Sequence, residues 1–489
     1  MIGTVSYNDG SEDHEITPVN DVYSFVMPNV DVTVSATFYD TFETIADVSY
    51  IDADGEVQTV STVRKLSSTS TELPSGWYMA ESDLTISDDV FAYEDVHLVL
   101  KDGVTLTITG YLRSDNLTIY RQTKGSGKLN VSGISGFYVT INGGIVTSTN
   151  TDENSAGIIG GNKVVINGGQ VKALATGEES AGICCWGTVT LGCSGDDDFI
   201  RTNSFYNDGV SVVVKEGQTL YDGMGGSYSG TLSEDEITSI GGKILMGTTA
   251  LHLANAADNS ARIAAADGIE GLSVKLKDRT LTKDGTWNTL CLPFSLSAEQ
   301  IEGSPLAGAV IKEMDSSTSL SNDGLLTLNF KNAQSIEAGK AYIVKWETKG
   351  ENIVNPLFHG VTISNSSLVE TESTDGKVKF VGQYSPFAID NDNINEILFI
   401  GSGNKIGYSK NPRQLKSCRA HFWVQPNGNS AGARVINLDL GDGVTTRIDL
   451  VEASSEKNAE GIYTLDGRKL QNKPTQKGVY VVNGKKIVK

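Results

Sequence analysis

The chain has 489 residues, with 39 Lys+Arg against 60 Asp+Glu for a net charge of −21, and is 39% hydrophobic and 20% charged. So acidic a surface repels phosphate backbones and anionic lipid, which sets aside broad nucleic-acid and membrane-surface binding, and no apolar run reaches the roughly 18 residues of a transmembrane segment. Apolar matter suffices for packed cores, and 53 glycines beside 10 prolines indicate tight turns between short strands rather than a low-complexity linker.

Met1-Ile2-Gly3 opens without the basic and apolar regions of a signal peptide, whereas the interior is Ser-, Thr-, Asn- and Gly-rich and β-patterned, as in exported proteins. The expectation is a secreted or cell-surface chain that is incomplete at its N-terminus. Tyr23 to Phe38 reads YSFVMPNVDVTVSATF, a proline-marked turn followed by period-2 alternation, which predicts one exposed antiparallel strand. The run resembles the closing half of small β-grasp-like repeat modules of bacterial surface proteins, whose hallmark is F-x-M-P-x-x-D-V-x-V. Residues 1–41 are accordingly assigned to a truncated module of that kind.

Residues 42–250 carry an internal repeat. Val139-Thr140-Ile141-Asn142-Gly143-Gly144 recurs at an offset of 25 as Val164-Val165-Ile166-Asn167-Gly168-Gly169, and Ser155-Ala156-Gly157-Ile158 recurs at the same offset as Ser180-Ala181-Gly182-Ile183. A third, degraded copy starts at Thr188-Val189-Thr190-Leu191. Each copy is too small to bury its own apolar face, so copies must stack. At strand spacing, Val139, Val164 and Val189 form one inward ladder and Ile141, Ile166 and Leu191 a second. Asn142 stacks on Asn167, and Gly143 and Gly168 supply positive φ. No leucine-rich consensus or accompanying helix is present; a parallel β-helix is predicted.

Residues 251–452 lose the repeat. A helix is expected within Leu251 to Asp267, and then alternating strands such as 325–330, 341–346, 377–381 and 420–424 fit an antiparallel β-sandwich or jelly roll. Thr286-Trp287-Asn288-Thr289-Leu290-Cys291-Leu292-Pro293-Phe294 resembles the W-N-T-L-C-L-P-F run of sandwich modules in surface proteins of the phylum Bacteroidota, a family with little assigned chemistry. Residues 453–489 complete the chain. Within them, 461–489 hold seven Lys/Arg against Asp466 alone, a local +6 that leaves −27 for the remainder (−21 less +6). Asp466-Gly467-Arg468, then Gly478-Val479-Tyr480 and the terminal Lys489, resemble the C-terminal sorting domain of type IX secretion substrates. That resemblance implies a small β-hairpin domain and the secretion machinery as a partner.

Candidate chemistry is sparse. Gly428-Asn429-Ser430-Ala431-Gly432 is a literal G-x-S-x-G, but a strand follows it and no His lies beyond His421, so a hairpin turn is the better account. Asp196, Asp197 and Asp198 form an acidic turn; Asp196 and Asp198 are the candidate ligands for Ca²⁺, and no other cofactor is expected. Adjacent strand positions face opposite sides, so a solvated turn is preferred to a catalytic cluster. The five cysteines (Cys184, Cys185, Cys193, Cys291, Cys418) lack zinc spacing and disulfide regularity, and Cys184 takes the place of Ile159 in the repeat and reads as a core residue. The histidines are scattered at 14, 97, 252, 359 and 421. Trp77, Tyr78 and Trp186 are the aromatics available to stack on sugars.

The sequence therefore predicts an all-β, non-enzymatic extracellular protein in which a β-helix scaffold serves adhesion or carbohydrate binding. Glycans or host and cell-surface proteins are the expected partners. The alternative is a β-helix polysaccharide lyase or glycoside hydrolase acting on acidic glycans.

Overall fold

The structure, a computed structural model, is 51% strand and 5% helix. It describes residues 2–19, 22–38, 42–206, 209–364, 367–424, 433, 435–441, 445–449, 462–464, 469–470, 479–482 and 485–488. Two compact units emerge, Met1–Leu251 and His252–Lys489. Among the described residues no helix is long and apolar enough to cross a membrane.

In the first unit, Ile2–Asn8 pairs antiparallel with both Asp13–Glu15 and Thr33–Phe38. The alternating segment of the N-terminal region is thus a strand only from Thr33 onward. A parallel β-helix of about nine turns follows. Each full coil visits three sheets in turn. Residues 106–108, 129–131, 146–148, 171–173 and 200–202 stack in the first sheet. Residues 112–114, 134–136, 158–160, 183–184 and 205–206 stack in the second. Residues 117–119, 139–141, 164–166, 189–191 and 212–214 stack in the third.

Alternation along the third sheet sends two ladders inward. Leu117, Val139, Val164, Val189 and Val212 make one, and Ile119, Ile141, Ile166, Leu191 and Val214 the other; none is more than 1% exposed. Full burial of each such side chain stabilises by about 1.5–3 kcal/mol, and because every rung packs on the next, the apolar interior is continuous. The asparagine stack is present as well: Asn167 Nδ2 donates to Asn142 Oδ1 at 2.8 Å, with both side chains buried. It stops at the next coil, where Gly192 takes the position and Gln218 Oε1 accepts the Cys193 N–H at 2.9 Å. Positive φ falls on Gly143, Gly144 and Gly169, not on Gly168 as expected. At Gly169 a Cβ would sit 2.6 Å from the Gly144 carbonyl oxygen, so only glycine allows that coil-to-coil approach.

The offset of 25 holds for part of the solenoid. In the first sheet, the paired positions are 84, 106, 129, 146, 171 and 200, so successive coils differ in length. The differences are absorbed at corners while the rungs stay in register. A hairpin of Thr44–Ile51 and Val57–Lys65 lays Tyr50, Val48 and Val63 beside Met79, Val99, Trp77 and Tyr120.

The second unit holds two packed sheets. One runs Asn288–Cys291, Ala341–Lys345, Val310–Met314, Leu325–Asn332, Val435–Asp439, Thr445–Asp449; the other runs Thr371–Glu372, Val378–Gln383, Arg419–Val424, Ile397–Ile400, Ile406–Tyr408. Leu326, Leu328 and Phe330 from the first meet Phe380, Leu398 and Phe422 from the second in one core. Phe380 and Phe422 stack at 4.5 Å, with Phe330 edge-on to both at 5.9 and 6.2 Å. The sandwich is antiparallel apart from 325–329 against 435–439, which are parallel. A separate antiparallel sheet of Lys469–Leu470, Ile462–Thr464, Val479–Val482 and Lys485–Val488 lies near the C-terminus. The Asp466-Gly467-Arg468 run and Gly478 lie outside the described residues.

Two local expectations are corrected. The single helical stretch within 251–267 divides into strand Leu251–Ala254 and helix Ser260–Ala266. Asn259 causes the break: its Oδ1 accepts from Ala254 N at 2.8 Å and its Nδ2 donates to Ala254 O at 3.0 Å, folding the chain back on itself. Two more short helices, Glu234–Ile240 and Ala298–Glu302, open on capping boxes at Ser233/Glu236 and Ser297/Gln300. The G-x-S-x-G residues 428–432 lie outside the described residues. The strands before and after them, Arg419–Val424 and Val435–Asp439, belong to different sheets and so are not the paired arms of a hairpin.

His421 gives the sandwich a pH dependence. Its imidazole is 1% exposed and stacks on Phe387 at 4.3 Å. Gln383 Nε2 donates to Lys416 O at 2.8 Å, which turns Gln383 Oε1 toward His421 Nδ1, also at 2.8 Å. Nδ1 must then be the donor, and the buried Nε2 is left with no hydrogen-bond partner. Burial pushes the pKa down to about 4 from 6.5. Between those values the unfolded chain binds the extra proton, so this contribution is complete above pH 6.5 and is lost as pH falls toward 4. Wild type should lose about 3 kcal/mol more than His421→Phe between pH 7 and 4. Urea unfolding of the second unit at both pH values measures the difference, and equal losses would refute it.

Candidate functional site

Parity along a strand separates the candidate aromatics. In Gly76–Met79, Tyr78 points inward and is 0% exposed, so it is a core residue and not the surface platform expected. Its hydroxyl donates to Pro74 O at 2.5 Å and accepts from Arg64 Nη1 at 2.8 Å. Trp77 faces outward but is half-buried by its own neighbours: His97 at 4.4 Å, Tyr50 at 4.7 Å and Tyr120 at 5.0 Å. Its ring is spent on holding the 44–65 hairpin to the third sheet. Trp186, in contrast, is 65% exposed.

The acidic turn is structural at Asp198. Its Oδ2 accepts from Ser194 N and Gly195 N, both at 2.8 Å, and from Ser194 Oγ at 3.0 Å. Three donors on one carboxylate oxygen close the turn that leads into Phe199–Thr202. Asp196 is exposed on the same turn, which is irregular, so strand parity does not govern it. Among the described residues no three His, Cys, Asp or Glu side chains gather as a metal site.

Cys184 pairs with Ile159, as the repeat indicates, yet both are half-buried on the outside of the second sheet. Ala181, Ile183 and Cys185 take the inward positions of that strand. Cys184 is thus not a core residue. It belongs to a groove of about 270 Å³ on the second sheet's outer face. The floor consists of three successive outward rungs, Ile159, Cys184 and Tyr206, paired strand to strand. Trp186 forms one wall. Corner loops bearing Asn154 and Glu179 form the other.

The loops are held firmly. Asn154 and Glu179, equivalent corners of successive coils, both adopt φ of 53°, and Asn154 N donates to Glu178 O at 3.0 Å. Buried Asn150 donates from Nδ2 to Tyr111 Oη at 2.6 Å, to Ser155 Oγ at 3.2 Å and to Ala156 O at 3.2 Å. Tyr111 Oη in turn donates to Asp152 Oδ2 at 2.6 Å, and the Arg113 guanidinium lies 4.3 Å over the Tyr111 ring. On the opposite wall, Trp186 N donates to Gly160 O at 3.2 Å, anchoring its backbone to the previous coil. Partial burial, and then Cys185 beside it, pushes the Cys184 thiol up, so it sits in the floor as a neutral, weakly polar group.

This arrangement can hold a ligand with apolar faces and polar edges. Trp186 and Tyr206, 65% and 49% exposed, offer rings, while Asn154, Ser155 and Glu179 offer polar groups. Sequence reasoning misses Tyr206 and the loop wall, although the gapless offset of 25 already aligns Asn154 with Glu179. Neither a protein-family model, nor a curated protein, nor a solved structure matches the chain.

Proposed function

We propose that this protein is an extracellular, non-enzymatic surface protein whose β-helix displays a carbohydrate-binding groove on its second sheet. The observation that carries the reading is the floor of Ile159, Cys184 and Tyr206 beside the exposed Trp186, an aromatic-lined concavity with one carboxylate, Glu179, among its lining residues. Acid–base glycoside cleavage uses a pair of carboxyl groups across the bond, so one carboxylate supports binding rather than turnover. The sorting-domain resemblance of residues 461–489, with Tyr480 lying on the strand Val479–Val482, supports export to the cell surface by a type IX route.

A glycan array probed with the purified chain, run alongside a reducing-sugar assay, tests the proposal. Oligosaccharide binding that falls roughly tenfold on Trp186→Ala, without release of reducing ends, is the expected outcome. Turnover of a polysaccharide that disappears on Asp196→Ala or Asp198→Ala would replace this reading with the enzyme.

A further inference from the structure

We infer that the groove takes an uncharged, equatorially substituted pyranose oligosaccharide, lying along the solenoid axis across the coils. The inference rests on the carbohydrate-binding reading above and deepens it. Three observations carry it.

The first is direction. The floor side chains Ile159, Cys184 and Tyr206 belong to three consecutive coils of one sheet, so they follow the axis at the strand spacing of about 4.8 Å. The lateral boundaries are fixed by the corner loops and by Trp186. A chain molecule lying along the groove therefore passes over successive floor steps, spanning about 10 Å from first to third, the length of a disaccharide unit. One lying along a strand would run into a wall at either end.

The second is charge. Among the described residues, Glu179 is the sole ionisable group of fixed charge lining the groove, and neither Lys nor Arg contributes to it. The whole chain carries −21. A polyuronate would enter a field of its own sign with no cation to receive its carboxylates. The site therefore disfavours the acidic glycans that the enzyme alternative calls for. A polycation would find one carboxylate, Glu179 on the wall, and a floor of Ile159, Cys184 and Tyr206 that offers its ammonium groups no anion.

The third is surface chemistry. A pyranose with equatorial substituents presents an apolar C–H face and a rim of hydroxyls. The aromatic rings of Trp186 and Tyr206 match the face, and Asn154, Ser155 and Glu179 on the wall match the rim. The rigid tethering of the loop through Asn150 and Tyr111 holds the wall in place before a ligand arrives, which lowers the ordering cost of binding.

The test uses the full chain and three probes of equal length: cellohexaose, hexagalacturonate and a glucosamine hexamer. Titration is followed by calorimetry and by Trp emission, to which Trp186 contributes as the most exposed tryptophan of the chain. Cellohexaose is expected to bind and shift the emission to shorter wavelength. Trp186→Ala and Tyr206→Ala should each weaken it by roughly tenfold or more, with unchanged thermal unfolding because both rings are largely outside the core. Hexagalacturonate or the glucosamine hexamer binding more tightly than cellohexaose, in a manner abolished by Trp186→Ala, would overturn the ligand class and leave the groove reading standing. Absence of binding by all three probes, or binding indifferent to Trp186→Ala, would overturn both.

Discussion

Ile166→Asp is expected to unfold the solenoid or to lower its stability by more than about 4 kcal/mol. Ile166 is 0% exposed and lies between Ile141 and Leu191 on the inward ladder. The substitution removes a large aliphatic side chain, at about 2–5 kcal/mol, and places a carboxyl where apolar rungs press from both coils. The carboxyl must also be desolvated or protonated, which adds several kcal/mol more. Val165, one position away, faces outward and is half-buried. Val165→Asp should therefore cost about 1 kcal/mol, the scale of a β-propensity change. Urea unfolding followed by far-ultraviolet circular dichroism compares the two. Similar midpoints for both variants would show the parity of this strand to be wrong.

Arg279→Met should destabilise the second unit by roughly 3–5 kcal/mol. The guanidinium is fully buried; Nη1 donates to Ser417 O at 3.3 Å and to Cys418 O at 2.8 Å, and Nη2 donates to Thr289 O. These bonds tie the residues before Arg419–Val424 to the strand Asn288–Cys291, and they do so at Cys418, whose φ is +54°. Methionine fills similar volume but strands carbonyl oxygens away from water, and a left-handed non-glycine residue loses the bonds that hold it there. Arg279→Lys should recover only part of the loss, since one ammonium cannot reproduce a planar fork aimed at two strands. Chemical denaturation of the full chain resolves the effect as a shift of the second unit's transition. A change below about 1 kcal/mol for Arg279→Met would show that these bonds contribute little.

The β-helix is legible because its rungs repeat without a gap where the sequence is most regular. Val139, Val164 and Val189 share a ladder for the same reason that their neighbours share a turn: identical corners force identical spacing. The shorter and longer coils are not legible, since changes of length, such as the corner of residues 192–198 that stands where 167–169 stand in the previous coil, leave no periodic mark. Parity is the other weakness. Sequence reasoning puts Cys184 and Tyr78 each on the wrong side of the sheet, because register tells which residues are level and not which way they point. Burial of Ala181, Ile183 and Cys185 decides the first, and burial of Tyr78 the second. Of the groove, Trp186 is recognisable from residue type alone. Tyr206 sits in a coil too degraded for the repeat to reach, and the loop wall depends on the tether between Asn150 and Tyr111, distant in sequence. The sandwich strands follow from alternation, whereas the fold-back at Asn259 rests on a side-chain bond to Ala254 that no periodicity announces.

The gapless coil also bears on how such a surface changes over generations. Positions 139–163 and 164–188 match one for one in the paired rungs, so unequal recombination between the two stretches of gene would insert or delete one coil in frame. An inserted coil would bring its own inward valine and isoleucine, its own asparagine for the stack, its own corner loop and its own floor residue. The groove would lengthen by one step of about 4.8 Å while its cross-section stayed the same. The length of the groove is thereby encoded as copy number, a quantity that a lineage can alter in a single event without redesigning a core.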